Sequence, residues 1–131
     1  MKLLLDTHIW VQTLLRPERL SRGVRRELDD PKNELFLSPI SIWEAGHLAS
    51  RKKIRIHPTF QAWVVQALEL KPMQEAPLNF AVAAEASGIH LPQPDLGDLF
   101  LAATASVFGL TLVTADRQLI KCSWLKTLPD V

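Results

Sequence analysis

The sequence predicts an α/β sandwich with a mostly parallel central sheet, and three observations predict it. Short apolar runs at Lys2 to Leu5, Leu35 to Leu37 and Leu110 to Thr114 have strand length. Segments with helical spacing separate them, and capping residues stand where several of those segments begin. A chain of 131 residues with 47% hydrophobic and 22% charged residues is the size of one domain and can bury a core without disulfides. A single domain over residues 1–131 is therefore expected.

The first run, Lys2 to Leu5, is broken by Asp6, with Thr7 as the candidate cap of a helix beginning at His8. From Arg16 to Asp30 the spacing of Leu20, Val24 and Leu28 predicts a helix with Pro17 in its first turn. Leu35 to Leu37 is a strand stopped by Ser38 and Pro39, and Ile40 to about Lys53 is helical. Pro58 to Leu70 places Phe60, Trp63, Val64, Ala67 and Leu68 on one side of a further helix, and Met73 to Pro77 reads as a minor strand. Asn79 caps a helix over Phe80 to Ser87, with Gly88 after it. Asp95 caps the next, which runs to Phe108 and is closed by Gly109. Leu110 to Thr114 is the clearest strand, and Leu125 to Leu128 the last.

Several function classes fall away. With Cys122 as the sole cysteine no intramolecular disulfide can form. Three leucines after Lys2 are too few for a secretion signal, so a cytoplasmic location is expected. The longest uncharged stretch, Leu99 to Ala115, carries Thr104, Ser106, Gly109 and Thr111 and is short of a bilayer span, so no membrane association is expected. Fifteen Lys and Arg against 14 Asp and Glu give a net charge of +1, which favours no partner through bulk charge. No P-loop, GxGxxG, GxSxG or HExxH occurs. Cys122 has no evident activating base and reads as a packing residue.

In parallel sheets, ligands bind beyond the C-terminal strand ends, where loops and helix N-termini converge. Asp6 follows the first strand and Asp116 the clearest one, so both carboxylates should emerge at that edge. Asp95 and Asp98 begin the helix leading into the Leu110 to Thr114 strand and should face the same crevice. Glu44 falls on a helical wheel with Ile40, Trp43, His47 and Leu48, the side expected to pack inward, with no helix-neighbour cation to pair with it. Each acid also has an ordinary explanation as a cap, a first-turn charge or a turn residue. Together they do not: like charges about 5 Å apart repel by roughly 3 kcal/mol at an effective dielectric near 20. Protons or a divalent cation must neutralise such a group. Oxygen-only ligation suits Mg²⁺ or Mn²⁺, whereas one Cys and the scattered His8, His47, His57 and His90 do not suit zinc. A cation so held polarises a phosphodiester and activates water, which points to metal-assisted hydrolysis.

Four ordered blocks, LLLDTHIW at the N-terminus, SPISIWE around position 44, PDLGDLFLAATA and LTLVTADRQL, resemble the PIN-domain family, especially VapC-type toxins of bacterial toxin–antitoxin pairs. The resemblance spans essentially the whole chain. It implies a PIN fold whose acidic quartet is Asp6, Glu44, Asp98 and Asp116, the same four acids that position and electrostatics select. It further implies a Mg²⁺- or Mn²⁺-dependent ribonuclease acting on RNA, silenced by a cognate antitoxin and working as a homodimer. Many relatives carry a histidine two positions before the first Asp of the DxxD block and an arginine after the second, where this chain has Gln93 and Leu99. Asp95 is a supporting acid, and Thr114 is placed to orient Asp116 through its hydroxyl.

Arg16, Arg19, Arg22, Arg25 and Arg26 fall mainly opposite Leu20, Val24 and Leu28 and should face water, as a solvated face or as a track for RNA phosphates. Arg51, Lys52, Lys53 and Arg55 form a second cluster at a helix end, where cations also complement the dipole. Trp10, Trp43, Trp63 and Trp124 are core, interface or base-stacking candidates, and Phe60 with Trp63 a candidate exposed patch. Two rival readings remain. A non-catalytic nucleic-acid- or partner-binding module would keep the fold without the chemistry. A phosphotransfer receiver would need an early acidic pair and a lysine after a late strand, where this chain has Asp6 alone and Arg117.

Overall fold

A computed structural model describes all 131 residues. The elements follow in the order β1 (Lys2–Leu5), α1 (Thr7–Leu15), a 3-10 turn (Pro17–Arg19), α2 (Arg22–Asp29), β2 (Glu34–Leu37), α3 (Pro39–Ser50), α4 (Phe60–Leu70), β3 (Gln74–Glu75), α5 (Phe80–Ser87), α6 (Leu96–Phe108), β4 (Thr111–Thr114), α7 (Arg117–Ile120) and β5 (Thr127–Pro129). All five strands pair in parallel, in the order β3-β2-β1-β4-β5. The sheet is thus wholly parallel rather than mostly so.

The alternation of side chains along β1 builds two cores. Leu3 and Leu5 join Val113, α1, α2, α3 and α4 on one face, while Leu4 joins Leu112, α6 and Leu119 of α7 on the other. Helices α5 and α6 meet through Val82, Ala86 and Ala103. Parallel strands need both faces covered, and the near-continuous leucines of β1, all fully buried, meet that need.

The order also places the site. After β1 the chain moves outward through β2 and β3, then returns to the other side of β1 as β4. The loop after β1 leads to α1 on one face, and the loop after β4 leads to α7 on the other. Diverging loops leave a crevice at the C-terminal ends of these neighbouring strands. Asp6 and Asp116 both stand there.

Several boundaries differ from expectation for local reasons. The Arg16 to Asp30 helix is interrupted, because Leu20 is extended and the Ser21 hydroxyl accepts the Val24 amide at 3.2 Å, starting α2 anew. The Leu20, Val24 and Leu28 stripe is buried nonetheless. Asp6, not Thr7, holds the N-cap position of α1. The α3 helix ends at Ser50, and Lys52 follows at φ 57. Gly109 closes α6 at φ 65, the left-handed conformation that glycine adopts without strain. Trp63 is buried with Phe60 stacked against it, so they form no exposed patch. Cys122 packs beside the second core, and its thiol donates a hydrogen bond to the Gln118 carbonyl. No helix is long and apolar enough to cross a membrane.

Candidate metal centre

The crevice is a cavity of about 670 Å³ lined by Asp6, Glu44, Asp95, Asp98 and Asp116. The structure therefore brings together all four acids of the proposed quartet and the supporting one. His8 and His47 line it too, but no lysine or arginine does, and the one ion pair of the molecule, Lys71 with Asp29, lies elsewhere.

Each carboxylate is held by its own donor. At the N-cap position of α1 the Asp6 side chain caps nothing; its Oδ2 accepts instead from the Thr114 hydroxyl at 2.6 Å. The same hydroxyl accepts the Asp116 amide at 3.0 Å. Thr114 thus orients Asp6 through its proton and Asp116 through the backbone, where the sequence suggested Asp116 alone. Asp116 caps α7 by accepting the Gln118 amide at 2.9 Å. Gln118 reaches Asp98 Oδ2 at 3.2 Å and pairs both backbone groups of Gln93. Asp95 caps α6 through the Asp98 amide at 3.1 Å. No three of these side chains close into a ready-formed ligand shell.

Glu44 corrects the helical-wheel expectation. The buried side of α3 carries Ser41 and Ala45, whereas Trp43 and His47 are exposed and Glu44 is half-buried at the cleft wall. The wheel misleads because it puts the bulky apolar Trp43 inward, where the fold buries the small Ser41 and Ala45. Glu44 Oε1 accepts from the Thr7 hydroxyl, which also lies 2.9 Å from Ser41 Oγ. Its other oxygen lies over the first turn of α6, in space left by a glycine. A Cβ on Gly97 would overlap Glu44 Oε2, sit 2.8 Å from its Cδ and 3.1 Å from Asp95 Oδ1. Gly97, Thr7 and Gln118 are site residues that sequence reasoning missed. Only Gly97 left a signal, since glycine is a poor helix former and an unusual choice inside a first turn.

The electrostatics follow from burial and crowding. Burial raises the carboxyl of Asp6, which is 9% exposed, above the usual carboxylate range, against the lowering pull of Thr114. Burial likewise raises Glu44, against the Thr7 hydroxyl. Asp98 is pushed up to about 7, first by burial and then by Asp116, Asp6 and Asp95. The ionised cleft is thus costly near neutral pH, and oxygen donors without a neighbouring side-chain cation are the donor set that Mg²⁺ or Mn²⁺ fits.

The five predicted arginines separate. All are exposed, but only Arg16 and Arg19 join Lys52, Lys53 and Arg55 in a groove of about 680 Å³ that no acid lines. That groove shares His8, Gln12 and Leu48 with the carboxylate cleft. Arg25 lines a different cavity with Asp29 and Lys71, while Arg22 and Arg26 lie in neither. Leu99, at the departure from the resembled pattern, packs beside the second core.

Residues 3–125 match the PIN domain. The chain belongs to the PIN domain family. Among solved structures, this PIN domain is similar to a DNA-bound VapBC from Salmonella typhimurium at TM-score 0.72 and 14% identity, covering 100% of this chain and 99% of that one. It is similar to VapBC2 from Rickettsia felis bound to a promoter DNA fragment at TM-score 0.71 and 17% identity, covering 98% of both. The FitAcB structure from Neisseria gonorrhoeae matches at TM-score 0.62 and 21% identity, covering 98% of this chain and 97% of that one. At these identities the likeness is one of fold. No curated protein matches the chain.

Proposed function

We propose that this PIN domain, a single domain over residues 1–131, is a Mg²⁺- or Mn²⁺-dependent endoribonuclease, the toxin of a toxin–antitoxin pair. It acts in the cytoplasm on RNA, as a homodimer, and is neutralised by a cognate antitoxin. The observation that carries the reading is the shared cleft, in which Asp6, Glu44, Asp98 and Asp116 line one cavity at the sheet's switch point with no lysine or arginine among them. The similar structures include VapBC complexes and a toxin–antitoxin complex from Klebsiella pneumoniae, which supports the partner class.

Asp6, Glu44, Asp98 and Asp116 would hold the cation. When bound, it would polarise the phosphodiester and lower the pKa of the attacking water. The chain's own residues supply the rest. Thr114 holds Asp6 Oδ2 in place, Thr7 holds Glu44 Oε1, and Gln118 donates to Oδ2 of Asp98, whose carboxyl burial and the neighbouring acids push up to about 7. Arg16 and Arg19, with Lys52, Lys53 and Arg55, line the groove that leads into the cleft and would carry the RNA backbone without reading its sequence. Arg22, Arg25 and Arg26 extend the same charge over the exposed side of α2. In hydrolysis, water oxygen bonds to phosphorus, the bridging P–O bond breaks, and the departing oxygen takes a proton.

A second reading, a binding module without catalysis, has one observation in its favour, the absence of three acids closed into a ligand shell. The two separate in one experiment. RNA cleavage by the purified chain is expected to vanish in EDTA and return with Mg²⁺ or Mn²⁺. Undiminished RNA affinity in EDTA, with no cleavage under any metal, would leave the binding module.

A further inference from the structure

We propose that the paired rings of Trp43 and His47 are a stacking platform for an unpaired nucleobase of single-stranded RNA, next to the carboxylate cleft. The proposal rests on the RNA-cleaving reading and adds a contact to the base where the arginines contact only the backbone. Trp43 and His47 stand one helical turn apart on α3 and flank Glu44. Their rings are stacked, parallel within 5° with centroids 5.4 Å apart, so the imidazole backs the indole and leaves the indole's opposite face for a base.

That surface is left in water. Trp43 is 64% exposed, whereas Trp10 and Trp63 are buried edge to face against each other in the first core. Trp124 is also exposed, but it has no ring partner and lines neither neighbouring cavity. Trp43 and His47 line two cavities at once, the carboxylate cleft and an apolar groove of about 820 Å³ that continues over Ile42, Phe60, Leu68 and Met73. On the other flank of the cleft lies the basic groove, joined to it through His8, Gln12 and Leu48.

Cations, carboxylates and rings therefore follow one another along a single path. A single strand laid on that path meets positive charge with its phosphates on one side of the reacting centre and an aromatic face with a base on the other. Single-stranded nucleic acids are bound by this combination of basic groove and stacking ring, and every base has a face to stack. Charge complementarity favours RNA over a protein segment as the occupant of the path, because the groove on the far flank of the cleft from the rings is lined by five cations and no acid.

The test uses the full chain carrying Asp6→Asn, so that RNA is bound without being cut, and a short labelled single-stranded RNA as the probe. Adding Trp43→Ala is expected to weaken binding roughly 5- to 150-fold, the range that alanine substitution of a stacking ring covers. Trp43→Phe should keep most of the affinity. A set of oligonucleotides with one abasic sugar at successive positions should contain one that reproduces the loss, and with Trp43→Ala that oligonucleotide should lose nothing further. Unchanged affinity for Trp43→Ala, equal losses for Ala and Phe, or losses insensitive to abasic position would overturn the platform. So would absence of single-stranded RNA binding. Failure of the nuclease reading would look different, since a wild-type chain that binds RNA through Trp43 but does not cut it with Mg²⁺ or Mn²⁺ keeps the platform and loses the enzyme.

Discussion

Replacing Asp6 by asparagine is expected to lower RNA cleavage by about 100-fold or more while leaving the fold at least as stable as the wild type. The loss follows from removing one preorganised charge at the reacting centre. The retained stability follows from how Asp6 is held. Its carboxylate accepts from the Thr114 hydroxyl at 2.6 Å, and an asparagine Oδ1 accepts the same bond. The negative charge is what burial opposes at this position, and Asp116 adds repulsion. Single-turnover cleavage with saturating Mn²⁺, run beside a thermal melt, reads both effects. Cleavage at the wild-type rate would remove Asp6 from the machinery, and a collapsed melting temperature would make it a structural residue.

Gly97→Ala should damage the site from a position that bears no reactive atom. The added methyl would overlap Glu44 Oε2 and crowd Asp95, so Glu44 must swing away from the first turn of α6. Overpacking of this kind costs about 1 to 3 kcal/mol. Misplacing a group that the cation needs should reduce activity by about 10- to 100-fold, as loss of a supporting contact at a metal site does. Urea denaturation midpoints check the first effect and cleavage rates the second. A second substitution separates strain from helix propensity. Glu44→Ala removes the carboxylate that Gly97→Ala strikes, so the double variant should regain most of the lost stability without regaining activity. If it stays as unstable as Gly97→Ala alone, the contact between Glu44 and Gly97 is not the cause.

These two positions also show what was legible in the sequence. Asp6 could be found because a short apolar run ending in an acid places a carboxylate at a strand's C-terminal edge, and neighbouring parallel strands bring such edges together. The same geometry of strand-end loops and helix starts places Asp116 and Asp98. Glu44 reaches the cleft by a route the wheel does not give: α3 buries its Ser41 and Ala45 side, and Glu44 stands at the cleft wall rather than among apolar neighbours. Small residues buried against a neighbouring helix leave almost no signal in a hydrophobic wheel, while an exposed tryptophan leaves a misleading one.

The elements were legible to similar depth. Periodicity shows that Leu20, Val24 and Leu28 face one core, but it cannot show that Ser21 restarts the helix between them, because a stripe at a spacing of four survives the break. Thr7 and Gln118 were out of reach for another reason. Their partners, Glu44 and Asp98, are 37 and 20 residues away along the chain, so only the folded arrangement joins them. The wheel places the basic stripe on one surface, yet the fold sends Arg16 and Arg19 to the groove beside the cleft with Lys52, Lys53 and Arg55 and puts Arg25 in a different cavity with Asp29 and Lys71.

Crowded carboxylates that a divalent cation makes tolerable are the core of the account, and thermal melts across pH with and without Mn²⁺ test them most directly. Burial and the neighbouring acids push Asp98 from its ordinary 3.8 up to about 7 in the folded chain. Between those values the folded state binds more protons, so metal-free stability should fall as pH rises from about 4 to 8. At pH 8, Mn²⁺ at a hundredfold excess over its Kd should restore about 2.7 kcal/mol, roughly 8 °C or more. The gain should shrink as the pH drops below 7 and Asp98 regains its proton, and Asp98→Asn should flatten the metal-free slope. A melting temperature at pH 8 that Mn²⁺ leaves unmoved, or moves equally in Asp98→Asn, would contradict the metal centre.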